Sequence, residues 1–334
     1  RLFERVLLRG LSLDDVNNFI EITSGIAPPR MLADAVHTQT EGNPLFITEV
    51  VRLLAQEGEF TLQNLQERES WEIRVPEGVR EVIGRRLNRL SQRCNDTLIV
   101  AAVIGREFTL QQLGGLMDDL NQDMLLDVLE EGLTARVIEE FSATVGLYQF
   151  THALIQETLV AELTLTRRVR LHARISRSLE LLYADDLESH AAELAHHFAQ
   201  AEAATGSDKM ITYSIMAGNR AMSKFAWEDA GYHFENALEA KSDQIVDREL
   251  ADILYGLGTS LHTGLLTEFR YDQAHTFLKR AFSAYMKLGD LDQAVKSAQF
   301  PLIGPPGSME ISLSLVEDAL NVVPSDTPKE AVLL

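Results

Sequence analysis

Apolar residues recur at helical spacing along most of the chain, and run after run is bracketed by residues that start or stop helices. Ser12 reads as an N-cap with Asp15 three residues on, ahead of a stripe of Val16, Phe19 and Ile20. Gly25 ends that helix. Pro28-Pro29 open the next, which carries Leu32, Ala35 and Val36 to a stop at Gly42. Asn43 then caps a third helix with Pro44 at its first position, where the missing N–H costs nothing. Its apolar face is Phe46, Val50, Leu53 and Leu54, and Gly58 terminates it. A chain punctuated in this way is expected to be mainly α.

Beyond this small helical unit, taken as 1–60, residues 61–77 break the pattern and read as a linker. The order from Gly78 is helix 78–90, a helix from Ser91 to about Gly105, a shorter one from Thr109 to about Asp119, and one from Asn121 to Leu133. VIEEF (137–141) and LYQFT (147–151), separated by a polar turn through Gly146, then predict a short β-hairpin. Helices followed by a hairpin are the order of a winged helix, which places that domain at 78–152. Connecting helices fill 153–205.

From 206 to 334 a repeat is expected. Gly218, Ala221, Ala230, Phe234 and Ala237 have the spacing of a tetratricopeptide (TPR) unit at its positions 8, 11, 20, 24 and 27. Leu254, Leu257, Gly258 and Leu261 restart it forty residues later, with Ala274, Leu278 and Ala281 four residues late. A weaker third copy runs from Leu291 to Pro324, interrupted at 300–308. Small residues at these positions let paired helices approach while larger ones fill the gap.

Charge and composition exclude several function classes. Thirty basic against 50 acidic side chains leave a formal charge of −20, which repels nucleic acid and anionic lipid except at a local patch. The single cysteine, Cys94, forms no internal disulfide, and no apolar run reaches spanning length, so a cytoplasmic location without membrane contact is expected. All seven lysines lie at or beyond Lys209 and none follows a glycine, so the phosphate-binding loop GxxxxGK[ST] is absent. The chain opens at Arg1 inside a patterned segment, and a fragment of a longer protein is expected.

TEGNPLFITEVVRLL (40–54) has a local reading that needs no ligand: helix stop, cap, helix start. It also resembles the helical lid of the signal-transduction ATPases with numerous domains (STAND), a branch of the AAA+-related P-loop NTPases. VPEGVREVIGRRLNRLS (75–91) resembles the start of that family's winged helix, and FTHALIQETL (150–159) with RRVRLH (167–172) the segment leaving it. ELAHHFAQA (193–201) and the repeat from Gly218 to Ala237 resemble its helical sensor array. Such chains occur in LuxR-type transcriptional activators and beside class III adenylate cyclase domains. The resemblance implies a Gly-x-Pro turn lying over bound nucleotide, with the proline near the adenine. Gly42, Asn43 and Pro44 are the positions onto which this carries. ATP or ADP would then be bound by the intact protein, together with an ATPase domain preceding Arg1 that holds the P-loop and the Walker B acid.

Other motifs read more plainly. The helix before the hairpin carries Asp123, Asp127, Glu130 and Glu131 and no basic residue, and the hairpin adds Glu139 and Glu140. A recognition helix must meet phosphates and base edges, and four carboxylates would be repelled from the groove, so DNA is not expected as a partner of this winged helix. Arg80, Arg85, Arg86, Arg89 and Arg93 form one basic stretch, and Arg167, Arg168, Arg170, Arg174 and Arg177 another. In the second, Arg170, Arg174 and Arg177 share a helix face. A solvated face, or pairing with the excess carboxylates, is the expected role. His190, His196 and His197 fall close together, but neighbours in a helix point about 100° apart and no cysteine assists, so no metal site is expected. No catalytic constellation is present.

The expectation is thus a lid, a winged helix with a short hairpin and a TPR-like α-solenoid. The array would bind a protein or small-molecule inducer, and the winged helix would relay this to nucleotide switching. The alternatives are a repeat scaffold without nucleotide and a DNA-binding regulator. A cyclase or kinase chain of which this is the regulatory part is the enzyme alternative.

Overall fold

The computed structural model describes residues 10–56, 83–84, 86–117, 119–141, 143–241, 246–263, 271–299 and 306–323. The predicted linker and residues 78–82 and 85 of the predicted helix 78–90 lie outside them. Among the described residues the chain is mainly α, with sixteen helices and one three-stranded sheet. It divides into two compact units, Arg1–Leu171 and His172–Leu334.

The first unit opens with α1 (Leu13–Ser24), α2 (Arg30–Thr40) and α3 (Pro44–Gln56). Ser12 caps α1 reciprocally: its hydroxyl accepts from Asp15 N at 3.2 Å while Asp15 Oδ2 accepts from Ser12 N at 3.1 Å. That capping box satisfies two of the free donors at the helix start. Val16 and Ile20 from α1, Leu32 and Val36 from α2, and Ile47 and Val50 from α3 meet in one closed core. In α2 it is Ala33, not Ala35, that is fully buried beside Leu32 and Val36.

The winged module follows as α4 (Gln92–Ile104), β1 (Glu107–Thr109), α5 (Leu110–Gly114), α6 (Gln122–Thr134), β2 (Ile138–Glu140) and β3 (Leu147–Phe150), with α7 (Ala153–Ala161) after it. Ser91 caps α4 by accepting from Cys94 N at 3.1 Å, and Asn121 caps α6 by accepting from Met124 N at 2.9 Å. Helix α4 is buried on nearly every side, with Leu98, Ala101, Ala102 and Ile104 all enclosed, and it packs on α6 and α7.

Two expectations change here. The sheet has three strands, ordered β1-β3-β2 and antiparallel throughout, because Glu107–Thr109 pairs with β3 in the register Phe108↔Tyr148. And the helix predicted from Thr109 to Asp119 closes at Gly114, where Gly115 forms its C-cap. The three-residue strand has no alternation long enough to announce itself; its pairing partner, forty residues away, makes it a strand. Phe108 stacks on Tyr148 at 5.9 Å and tilts against Phe150 at 5.6 Å, so the sheet's inner face is aromatic.

The division between units falls within α8 (Leu165–Leu182). The second unit continues as α9 (Ala191–Gln200), α10 (Glu202–Thr205), α11 (Asp208–Ser223), α12 (Trp227–Ala240), α13 (Arg248–Thr263), α14 (Tyr271–Lys287), α15 (Leu291–Ala298) and α16 (Pro306–Leu320). From α11 to α16 each helix packs on the next, the quasi-linear arrangement of a TPR-like solenoid. The matched registers have a physical basis. A β-carbon on Gly218 would lie 2.8 Å from the Phe234 ring, and one on Gly258 would lie 2.6 Å from Leu278 Cγ. In both copies, then, the glycine at position 8 makes room for the large residue at position 24.

Candidate functional site at the lid turn

Gly42, Asn43 and Pro44 form the turn from α2 into α3. Gly42 has φ +73°, and a β-carbon there would meet Leu11 O at 2.3 Å and Leu11 N at 2.7 Å. Both the left-handed backbone and the close approach require glycine. Leu11 N donates to Gly42 O at 2.7 Å, which ties the segment before α1 to the turn. Asn43 Oδ1 accepts from Leu45 N at 3.0 Å, and Asn43 O accepts from Ile47 N at 2.9 Å. Pro44 is exposed and Asn43 half-buried. The turn is therefore held by its own hydrogen bonds, and it leaves the proline ring accessible.

Glu41, one residue before this turn, was not legible as a site residue. Its backbone is also left-handed, at φ +51°. Its carboxylate forms an ion pair with Arg106, which precedes β1, and lies 3.4 Å from Nδ1 of His152, the N-cap of α7. Burial pushes the Glu41 carboxyl up. The His152 hydrogen bond, the Arg106 charge and the Ala153 backbone N–H together outweigh it and hold the group below its ordinary value. Phe46 of α3 meets the His152 ring edge-on at 5.5 Å, and Gln39 of α2 hydrogen-bonds Glu157 of α7. One small polar cluster thus joins the α2–α3 turn to both ends of the strand-bearing segment. Its members lie 65 and 111 positions apart, so no local pattern could have revealed it.

The remaining candidates resolve as follows. Asp123, Asp127 and Glu130 are exposed on α6, whereas both Glu131 oxygens accept from Ser91, from N at 2.6 Å and from Oγ at 2.7 Å. Arg170, Arg174 and Arg177 are exposed on one side of α8; Arg80 and Arg85 fall outside the described residues. His190 stacks on Tyr183 with 3.5 Å between ring centroids. His172, far from the α9 histidines in sequence, is brought against His196 and His197. A cleft of about 600 Å³ opens among α9, α11 and α12, with His196, Gln200, Met210, Tyr232, His233 and Asn236 in its wall. Burial lowers the pKa of both His196 and His233, against the opposing charges of Glu193 and Asp229. No helix among the described residues is long and apolar enough to cross a membrane.

A family model described as Domain of unknown function (DUF8739) matches residues 26–64, the stretch that holds α2, the turn and α3. The chain is also similar to "Uncharacterized protein R02095" of Rhizobium meliloti (strain 1021), at 27% identity over 212 residues, or 62% of this chain. It spans about a fifth of that relative's length, the aligned part being 20%.

Proposed function

We propose that this chain is the lid, relay and sensor portion of a STAND-type signal-transduction ATPase. The array of α11 to α16 takes a protein or small-molecule inducer. The winged module passes the change to the lid, and the lid sets the preference for ADP or ATP in an ATPase domain elsewhere in the intact protein. The observation that carries this reading is the ion pair between Glu41 and Arg106, which fastens the residue beside Gly42–Pro44 to the winged module. A switch of this kind shifts populations only if inducer and nucleotide each bind one arrangement better than the other.

The test is nucleotide binding by the intact protein. Pro44→Ala should weaken ADP affinity with unchanged far-ultraviolet circular dichroism, and Glu41→Gln should change the ratio of ADP to ATP affinity. Unaltered affinities in both variants would overturn the reading.

A repeat scaffold without nucleotide is the second reading. It is favoured by Phe225, an aromatic side chain 76% exposed on a left-handed backbone at the turn from α11 to α12. Exposed aromatics are common anchors of protein interfaces. Absence of any nucleotide binding by the intact protein would select it.

A further inference from the structure

We propose that His172, His196 and His197 form a binding site for one divalent transition-metal ion of the zinc class. The site arises from two core-facing stripes. On α8, His172 shares a face with Ile175, Ser176 and Leu179, all fully buried. On α9, His197 shares a face with Leu194 and with Ala201 at the helix's C-cap, which are likewise enclosed. Where these stripes meet, two imidazoles stand in place of the aliphatic pair that would fill the space without polar atoms to satisfy. Their Nδ1 atoms are 2.9 Å apart, so one ring donates and the other accepts.

His196 follows from the helical turn. One position before His197, it swings away from the core and stands exposed at the cleft wall, yet its ring centroid is 5.9 Å from that of His172 and 5.3 Å from that of His197. The divergence of neighbouring helix residues, which argued against a shared ligand, is bridged by the third ring reaching in from the facing helix.

The distances suit a metal. One nitrogen from each ring can be chosen so that all three lie within 4.8 Å of one another. Tetrahedral zinc, about 2.1 Å from each nitrogen, needs ligands about 3.4 Å apart. The 2.9 Å of the Nδ1 pair and the 4.8 Å limit of the set bracket that value, so modest side-chain rotations close the site. Binding through both Nδ1 atoms requires each ring to carry its proton on Nε2, which replaces the shared hydrogen bond by two metal bonds. Three neutral imidazoles select zinc, cobalt, nickel or copper over magnesium or calcium. Three ligands leave a fourth position for water or an anionic group of a ligand, and His196 itself lines the cleft.

The experiment uses the full chain without a polyhistidine tag, stripped with chelator and titrated with Co²⁺. The expected result is one Co²⁺ per chain, with the visible ligand-field bands of a tetrahedral site that Zn²⁺ abolishes by competition. His196→Ala removes an exposed ring, so the fold stays intact while affinity falls. Loss of a mere supporting residue costs 10–100-fold at metal sites, and loss of a ligand should cost at least roughly tenfold here. His190→Ala, which alters a nearby histidine outside the cluster, should bind as the parent does. Absence of tetrahedral Co²⁺ uptake, or uptake that survives His196→Ala, would overturn the proposal.

Discussion

The Phe234 ring fills the space that a side chain on Gly256 would occupy: a β-carbon there would lie 2.4 Å from Phe234 Cζ. Phe234 is fully buried between α11 and α13, since Gly218 makes the same room from the other side. Gly256→Ala gains helix propensity of up to about 1 kcal/mol, but overpacking a filled core costs about 1–3 kcal/mol. The expected outcome is a net loss of up to about 2 kcal/mol in the second unit, once those two terms are set against each other. Urea unfolding followed by Trp227 fluorescence, in a Trp71→Phe background, measures it. Combining Gly256→Ala with Phe234→Leu should recover part of the loss by making room for the new methyl.

Two helix-to-helix turns share one hydrogen-bond pattern but not one residue. Phe225 N donates to Met222 O and Ala226 N to Ala221 O; Gly289 N donates to Met286 O and Asp290 N to Tyr285 O. Phe225 has φ +61° and Gly289 φ +75°. The left-handed conformation costs a residue with a β-carbon about 1–2 kcal/mol, and an exposed ring recovers little of that by burial. Phe225→Gly should therefore raise stability by about 1 kcal/mol, and Gly289→Ala should lower it by a similar amount. The same fluorescence-monitored unfolding distinguishes the two signs. If Phe225 anchors a partner, its glycine variant will be more stable and bind less.

Cys94 is the natural reporter for the first unit. It is fully buried on α4, with its sulfur 3.4 Å from Val128 O. Burial, with a smaller contribution from the Glu131 charge, pushes the thiol up to about 12. Since the thiolate is the reactive form, Cys94 should resist a disulfide reagent at pH 8 in the native protein and react fully in denaturant. Rapid labelling without denaturant would contradict this burial.

How much of this was visible beforehand depends on how far apart in sequence the cause of each feature lies. The caps at Ser12, Ser91 and Asn121, and the stop at Gly25, are local chemistry and could be read from a few residues. The spacing of Gly218 with Phe234 and of Gly258 with Leu278 was legible because a repeat writes its packing rule twice. Strand β1, Gly256 and the Glu41 cluster were not legible. Each is defined by a partner in a different element, and one sequence carries no record of that pairing. The histidines show the same limit: His196-His197 was visible as a pair, but only the packing of α8 supplied His172.

The Glu41 cluster gives the first unit a dependence on acid. Its carboxyl sits below the ordinary 4.5 in the folded chain, so its stabilising effect is complete above that value. The effect is lost as pH falls through the lower, folded-state value. Both partners are partly exposed, and the pair contributes about 1 kcal/mol or less. Glu41→Gln should lower stability at pH 7 by that amount, read by urea unfolding followed by far-ultraviolet circular dichroism, which works equally in acid. The difference from the parent should shrink toward zero as pH falls through the lowered, folded-state value, where the parent carboxylate becomes protonated. A difference independent of pH would mean that Glu41 acts by packing and not by charge.

Gly42 and Pro44 stand two residues apart and should fail in different ways. Gly42→Ala combines a left-handed backbone with a β-carbon 2.3 Å from Leu11 O, and the atom it meets is backbone that cannot rotate aside. Strain and clash together should cost about 2–6 kcal/mol and loosen α1 from the turn. Pro44→Ala, at an exposed first helical position, removes no hydrogen bond and should change stability by less than about 1 kcal/mol. Circular dichroism and urea unfolding of the two variants check the contrast directly. On the proposed nucleotide-switch reading, a loss of nucleotide binding by Gly42→Ala then follows from a damaged turn, whereas a loss by Pro44→Ala with the turn intact reports contact between the proline and the nucleotide. Equal destabilisation by both would show that the proline also holds the turn, and the binding test would then have to rest on Asn43.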